Sequence, residues 1–206
     1  MHYFFNDVET TGLCRSDEVI QFAGILTDEN FKLLKLFNFY CDTTVKIHRE
    51  AYNAHGISHE ALKRLSGSKT FEDQFYNMSE ILQMKDIVWI GWNYGFDMRI
   101  MNQTLTNNGL PAWNFGQKRN FLDRRSGVYN FDLMMPVSNL INRGIKMKLT
   151  AAVSSLRDFP QSKIDQMYAQ FAEQCSLGEK AGYHDAVYDT FVTWLLASQY
   201  GNRFKI

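Results

Sequence analysis

Four carboxylates and one histidine are spaced along the sequence in a pattern that could support metal chemistry. Asp7 and Glu9 lie two residues apart at the end of the first apolar segment, and Asp97 follows the fourth predicted strand. His184 and Asp189 lie near the end of the chain. Alternate residues of a strand point to the same face, roughly 7 Å apart, so we expect Asp7 and Glu9 to share a face. Two carboxylates at that spacing can hold a pair of divalent ions about 3.5–4 Å apart.

Taken singly, each of these residues also has a structural explanation. An Asp-x-Glu pair suits the polar end of a strand, Asp97 suits the start of a helix, and His184 suits a helix cap or an exposed site. Together they are more informative, because two unit charges 4 Å apart repel by about 4 kcal/mol at an effective dielectric constant near 20. Four clustered carboxylates therefore call for positive charge. Two Mg²⁺ or Mn²⁺ ions would supply it, since hard cations prefer oxygen ligands.

The elements that must position these residues are predicted from the spacing of apolar residues. Strands are expected at 2–8, 18–27, 31–41, 87–92 and 128–131, and helices at 71–84, 96–107, 132–143, 148–157, 162–175 and 185–199. Strands that come first and then alternate with helices predict an α/β fold with a mixed five-stranded sheet flanked by helices. No repeat or linker divides the sequence, so residues 1–206 are predicted to form a single domain.

The charge composition excludes a protein that holds nucleic acid by bulk positive charge. The 206 residues include 22 Lys and Arg and 22 Asp and Glu, for a formal net charge of zero. The charges are unevenly distributed, with nine acidic against five basic residues in 1–60 and seven basic against two acidic residues in 118–148. The net charge of zero is therefore the sum over an acidic N-terminal part and a basic middle part.

The cysteines and the hydropathy pattern indicate where the protein works. Cys14, Cys41 and Cys175 form no Cys-x-x-Cys pair, so neither a disulfide framework nor a zinc knuckle is expected. No apolar run is long enough for a membrane-spanning helix, and Asp7 and Glu9 interrupt the N-terminal apolar segment. We therefore expect no membrane span and no signal peptide, and a reducing, cytoplasmic location.

Three motifs contain the four carboxylates and His184, namely Asp-x-Glu at 7–9, Gly-x-Asn-x-x-Phe-Asp at 91–97 and His-x₄-Asp at 184–189. Together they resemble the DEDDh family of DnaQ-like 3′→5′ exonucleases, whose fold is ribonuclease H-like. Their surroundings are most similar to the exonuclease I branch of that family, through the segments at 21–23, 55–58, 131–133 and 184–186. The resemblance extends from Tyr3 to about Leu196. Trp92 replaces a histidine that many members carry, and Asn6 replaces an apolar residue, but neither change removes a metal ligand.

The resemblance implies a mechanism and a set of site residues. It implies that the four carboxylates bind two Mg²⁺ (or Mn²⁺) ions and that His184 is the general base for the attacking water. The reaction would release 5′-mononucleotides from the 3′ end of single-stranded DNA. The backbone around Thr10, Thr11 and Gly12 would receive the terminal nucleotide, with Leu13 as a wedge against its base. Asn93 would contact the substrate or support Asp97.

The segment 113–129 is the candidate track for a single strand. Its basic residues are Lys118, Arg119, Arg124 and Arg125, and they alternate with the aromatic residues Trp113, Phe115, Phe121 and Tyr129. Aromatic side chains stack on bases and basic side chains hold phosphates in proteins that bind single strands. The alternative is a surface loop whose aromatic residues pack into the core.

Other functions remain open at the level of the sequence. The expected partner is a single-stranded nucleic acid, with DNA favoured over RNA, and the sequence does not indicate a protein partner. An exoribonuclease or oligoribonuclease would use the same chemistry but would need contacts to the 2′-hydroxyl. A polymerase proofreading subunit is less favoured, because the sequence offers no long docking tail after Asp189. A catalytically dead nucleic-acid-binding module is disfavoured because all four carboxylates and His184 are present.

Overall fold

A central mixed sheet organises the computed structural model, which describes residues 1–118, 127–155, 159–177 and 184–204. The strands are β1 (His2–Thr10), β2 (Val19–Thr27), β3 (Leu33–Tyr40), β4 (Ile87–Gly91), β5 (Gln117–Lys118) and β6 (Val128–Asp132). Their order is β3-β2-β1-β4-β6-β5. β1, β2 and β3 pair antiparallel, whereas β4 pairs parallel with β1 and with β6. The predicted mixed five-stranded sheet is confirmed, and the two-residue β5 adds a short strand at its edge.

Helices cover both faces of this sheet. They are α1 (Arg49–His55), α2 (His59–Ser66), α3 (Phe71–Phe75), α4 (Ser79–Leu82), α5 (Tyr94–Asn107), α6 (Met134–Asn142), α7 (Leu149–Ser154), α8 (Gln161–Gln174) and α9 (Ala186–Phe204). One buried cluster joins β1 and β4 to α6, α7, α8 and α9 on one face. A second cluster on the other face joins the same strands to α3 and α5. Within the described ranges, no helix is long and apolar enough to cross a membrane.

The alternation of side chains along β1 connects the core to the site. Tyr3 and Phe5 belong to the cluster that includes α9, whereas Phe4 and Val8 belong to the opposite cluster. The odd-numbered residues of β1 therefore face the α9 layer. Because the period of a strand is two, the same face continues into residues 7 and 9, next to the start of α9.

One predicted helix is interrupted in the structure. The expected helix at 71–84 divides into α3, a 3₁₀ turn at Tyr76–Met78 and α4. A capping box between Thr70 and Asp73 begins α3, and Asn77, a weak helix former, lies in the 3₁₀ turn and donates to Gln74. Of the apolar residues, Phe71, Met78 and Ile81 are buried and Phe75 and Leu82 are partly buried, so the segment keeps its inner face.

Candidate active site

β1 carries the first two carboxylates to the edge of the sheet. Asp7 is paired with Ala23 of β2, and Glu9 is paired with Gln21, so both lie in regular antiparallel register. The register shifts between Glu9 and Thr10. This β-bulge ends the regular part of the strand directly after the acidic pair, which leaves both carboxylates at the mouth of the sheet.

A sharp turn after β4 brings the third carboxylate beside Asp7. Asn93 has a left-handed backbone (φ 63°), and its N–H donates to the Asp132 carboxylate over 3.0 Å. Gly91 is required here, because a Cβ at this position would lie 2.8 Å from the Tyr94 ring and 3.3 Å from Asp97 Oδ2. The turn starts α5, and Asp97 in its first turn is only 3% exposed.

The start of α9 supplies the remaining carboxylate and the histidine. His184 has φ 66° and an exposed side chain, and its backbone N–H donates to Asp189 Oδ2 over 3.3 Å. Asp185 Oδ1 accepts from the N–H of Val187 and so caps the helix. The chain therefore turns sharply at His184, with the imidazole outside and Asp189 facing β1.

Three of the four predicted ligands meet directly. Asp7, Glu9 and Asp189 each offer an oxygen, and these oxygens lie within 4.8 Å of one another. Asp97 is not within that group of three, but its charge is the largest electrostatic influence on Asp7. The structure therefore brings the four predicted carboxylates together at one end of the sheet.

The carboxylates strongly disfavour one another's ionised forms. Burial raises the pKa of Asp7 well above its ordinary value, and the charges of Asp97 and Asp189 raise it further. Burial is also the main cause of the raised pKa of Glu9 and of Asp97. The pKa of Asp189 rises to about 7, again mainly through burial, although the His184 N–H partly opposes this. Such a cluster is stable in its ionised form only with added positive charge.

Unpartnered oxygens indicate that the cluster fits a metal. Asp97 Oδ2 and Asp189 Oδ1 are buried and accept no hydrogen bond within the described part of the protein. A buried acceptor without a partner is costly, so these two oxygens are candidate ligand positions. The all-oxygen donor set suits Mg²⁺ or Mn²⁺ better than a soft metal.

The raised pKa values predict how the metal-free protein responds to pH. These carboxyls bind protons more tightly in the folded than in the unfolded state, so their stabilising contribution is complete near pH 4 and below and is lost as the pH rises. We expect the free energy of unfolding, measured by urea titration with chelator present, to fall between about pH 4 and 7. Replacing Asp97 by Asn should reduce this loss, and Mg²⁺ should restore stability at the upper end of the range.

The matched control is Asp86→Asn, which neutralises an exposed carboxylate before β4. This variant should follow the wild-type pH dependence. If Asp97→Asn and wild type lost stability equally with rising pH, the electrostatic description of the cluster would be wrong.

A larger cavity of about 630 Å³ opens on one side of the carboxylates. Its lining includes Asp7, Trp92, Asn93, Phe96, Lys146, Lys148, His184 and Asp189. Sequence reasoning missed the two lysines as site residues, although they lie within the basic stretch 118–148. The charge count showed an excess of basic residues over 118–148, but substrate contacts were predicted only for the basic residues within 118–125.

A smaller cavity of about 430 Å³ lies on the other side and includes Glu9. Thr10, Gly12 and Leu13 line it, and Leu13 is 75% exposed, so a role in binding the substrate stays a prediction for these three. Thr11 is placed differently, because its side chain is fully buried and donates to Asp17. Its N–H and C=O are also bonded, to Glu18 and His48. Thr11 therefore supports the loop and does not face the cavity.

His55, at the end of α1, has a structural role. Its Nδ1 accepts from the N–H of Ile57, and its Nε2 lies 3.2 Å from the carbonyl oxygen of Thr10. Although it borders the smaller cavity, it is only 9% exposed and links α1 to the end of β1. These contacts indicate that His55 stabilises the turn after α1.

The candidate single-strand track is only partly described. Arg119, Arg124 and Arg125 lie outside the described residues, as does Phe121, and nothing is described of the side chain of Lys118. Phe115 and Tyr129 are buried in the core, and Trp113 packs edge-on against Phe75. Phe115 and Tyr129 are therefore core residues and not stacking platforms, as the alternative interpretation of this segment expected.

The chain belongs to the exonuclease family whose model, named RNase_T and described as exonuclease, matches residues 4–196. This match covers almost the whole chain and includes all three acidic motifs. No curated protein sequence is significantly similar to the chain.

The fold is that of exonuclease I, a DnaQ-like enzyme of the ribonuclease H-like class. A product-bound exonuclease I superposes with a TM-score of 0.69 at 15% identity, covering 99% of this chain and 44% of that one. E. coli exonuclease I with a dA16 oligonucleotide gives 0.70 at 16% identity, covering 98% and 41%. The zinc-bound E. coli enzyme with single-stranded DNA gives 0.66 at 18% identity, covering 98% and 40%. This chain therefore spans about two fifths of the length of these proteins.

Proposed function

We propose that this protein is a metal-dependent 3′→5′ exonuclease that releases 5′-mononucleotides from single-stranded DNA. The observation that carries the proposal is the convergence of Asp7, Glu9 and Asp189 within 4.8 Å. Asp97 lies beside them, and His184 lines the larger cavity together with Asp7 and Asp189. Membership of the exonuclease family agrees with a hydrolytic role for this cluster.

The four carboxylates would hold two Mg²⁺ ions. Bound divalent ions lower the pKa of water and neutralise charge that develops on a phosphate in the transition state. His184 is exposed beside the cluster and would take the proton of the attacking water. Attack on phosphorus breaks its bond to the 3′-oxygen, so the shortened strand keeps a 3′-hydroxyl and the released nucleotide keeps its 5′-phosphate.

The two cavities would divide the substrate between them. The smaller cavity is bordered by Glu9, Gly12 and Leu13, which suits a terminal nucleoside next to the carboxylates. The larger cavity carries Lys146 and Lys148, whose charges suit the phosphates of the preceding nucleotides. Phe96 lines both cavities, so it marks the boundary where the scissile phosphodiester would lie.

This division predicts a salt-dependent effect at the two lysines. Replacing Lys146 or Lys148 by Ala should raise KM for an oligonucleotide and leave kcat nearly unchanged, because a phosphate contact away from the reacting bond contributes to binding in both states. The slope of log KM against log salt concentration should become shallower by about 0.7 for each lysine that no longer binds a phosphate. The control is Lys85→Ala, an exposed lysine before β4. If the slope of log KM against log salt concentration were unchanged in both lysine variants, the proposed phosphate contacts of Lys146 and Lys148 would be ruled out.

Product analysis tests the proposed function and its main alternative. Single-stranded DNA and RNA of the same sequence should be incubated with Mg²⁺, and the products identified by chromatography against 5′- and 3′-mononucleotide standards. We expect 5′-mononucleotides, with a higher kcat/KM on DNA. A higher kcat/KM on RNA would identify an exoribonuclease, whereas 3′-phosphate products would contradict the proposed attack. Intact strands under all conditions would indicate a binding module.

A further inference from the structure

We propose a second metal site, separate from the four carboxylates, that takes Zn²⁺ or a similar borderline cation. Its ligands are Cys14, Asp17 and His48, whose sulfur, oxygen and nitrogen atoms lie within 4.8 Å of one another. Thiolate, imidazole and carboxylate together form a donor set typical of zinc, and a water could complete four-coordination. This site goes beyond the proposed nuclease function and does not depend on it.

The separation of two ligand atoms fits tetrahedral zinc. His48 Nε2 lies 3.3 Å from Asp17 Oδ1. With Zn–N and Zn–O bonds of about 2.0–2.1 Å, a tetrahedral angle also places the two ligand atoms about 3.3 Å apart. A metal between them would need little movement of either side chain, and exposed Cys14 could close the third position from the solvent side.

The burial of Asp17 gives an independent reason for a cation. Its side chain is 0% exposed, and within the described ranges its only ion-pair partner is His48. Thr11 Oγ1 donates to Oδ1 over 3.0 Å, and the Cys14 N–H donates to Oδ2 over 2.5 Å. These donors are neutral, so they supply hydrogen bonds but no positive charge. Buried carboxylates are normally paired with a cation or coordinated to a metal, and Zn²⁺ would meet that need.

The backbone around the three ligands is already held in place. The Asp17 N–H donates to the Cys14 carbonyl over 3.2 Å, and Gln103 Nε2 of α5 donates to the carbonyls of Cys14 and Asp17. His48 is joined to the same loop through its N–H, which donates to Thr11 over 2.8 Å. Because these bonds do not use the ligand atoms, the ligands are positioned before an ion arrives.

Gly12 is necessary for this arrangement. A Cβ at Gly12 would lie 2.6 Å from the His48 ring and 2.7 Å from Asp17 Oδ2, so only glycine allows the loop to pass over the pair. Cys14 and His48 also line the smaller cavity beside Leu13. A bound ion would therefore join the two segments that form one wall of that cavity and would stabilise its shape.

Cobalt spectroscopy tests the site directly in the full chain. Co²⁺ added to the purified, chelator-treated protein should produce a thiolate-to-cobalt charge-transfer band, and one equivalent of Zn²⁺ should abolish it. Cys14→Ser should lose the band, whereas the matched control Cys175→Ser should keep it. Asp7→Asn should also keep it, because an all-carboxylate site gives no thiolate band.

A second measurement detects binding through stability. In an Asp7→Asn background, Zn²⁺ should raise the melting temperature, and adding Cys14→Ser should remove that increase. The absence of a thiolate band in the wild-type protein, or its survival in Cys14→Ser, would overturn the proposal. Because every readout here is independent of DNA cleavage, failure of this proposal is distinguishable from failure of the nuclease proposal.

Discussion

Replacing Asp7 by Asn is expected to reduce exonuclease activity by about a thousandfold or more while the fold is retained. Asp7 is at the centre of the cluster, within 4.8 Å of Glu9 and Asp189 and in electrostatic contact with Asp97. Loss of a metal ligand weakens the stabilisation of the transition state by several kcal/mol. Each step of about 1.4 kcal/mol lowers the rate by about a factor of ten. The measurement is kcat/KM on a labelled oligonucleotide at saturating Mg²⁺.

The isosteric change also separates chemistry from folding. An amide at this position removes a buried negative charge, so Asp7→Asn should melt at the same or a higher temperature than wild type without metal. Asp86→Asn, the same change at an exposed position, should retain wild-type activity. Full activity in Asp7→Asn would show that the catalytic centre lies elsewhere.

The second large effect is expected at His184. His184→Asn should lower kcat by about 10²–10⁴-fold, the usual contribution of a general base, with a smaller change in KM. Asn is the appropriate replacement because residue 184 has φ 66°, a left-handed backbone conformation that Asn tolerates better than Ala. The hydrogen bond from residue 184 to Asp189 uses the backbone N–H, so the substitution leaves it in place.

Two comparisons distinguish a general base from a structural histidine. His59→Asn, at an exposed position in α2, should have wild-type kcat. Added imidazole should partly restore the kcat of His184→Asn, because a free base can enter a cavity whose rim is exposed. A kcat within threefold of wild type for His184→Asn would remove His184 from the mechanism.

Much of the site could be predicted because its geometry follows from local periodicity. The two-residue period of β1 places Asp7 and Glu9 on one face, and the strand–turn–helix pattern places Asp97 in the first turn of the helix that follows β4. The approach of Asp189 to Asp7 could not be predicted from local periodicity. It depends on the packing of α9 against β1, which no local pattern contains, and the family resemblance supplied it.

The parts that sequence reasoning missed depend on long-range contacts or on backbone irregularities. The β-bulge after Glu9 breaks the regular pattern of β1, so the sequence did not show that the backbone of Thr11, predicted to receive the terminal nucleotide, is bonded to Glu18 and His48. His48 contacts Asp17 from a distant part of the sequence, and Lys146, in the loop before α7, lines the same cavity as Asp7 and Asp189. Neither contact leaves a periodic signal in the sequence.

The most direct test of the central claim is a time course on single-stranded DNA labelled at its 5′ end. If the carboxylate cluster is a metal-dependent 3′→5′ exonuclease site, the wild-type protein with Mg²⁺ will produce a ladder that shortens by one nucleotide at a time. The labelled strand should remain intact with chelator. Immediate release of a labelled mononucleotide, or the same ladder in the presence of chelator, would contradict the account.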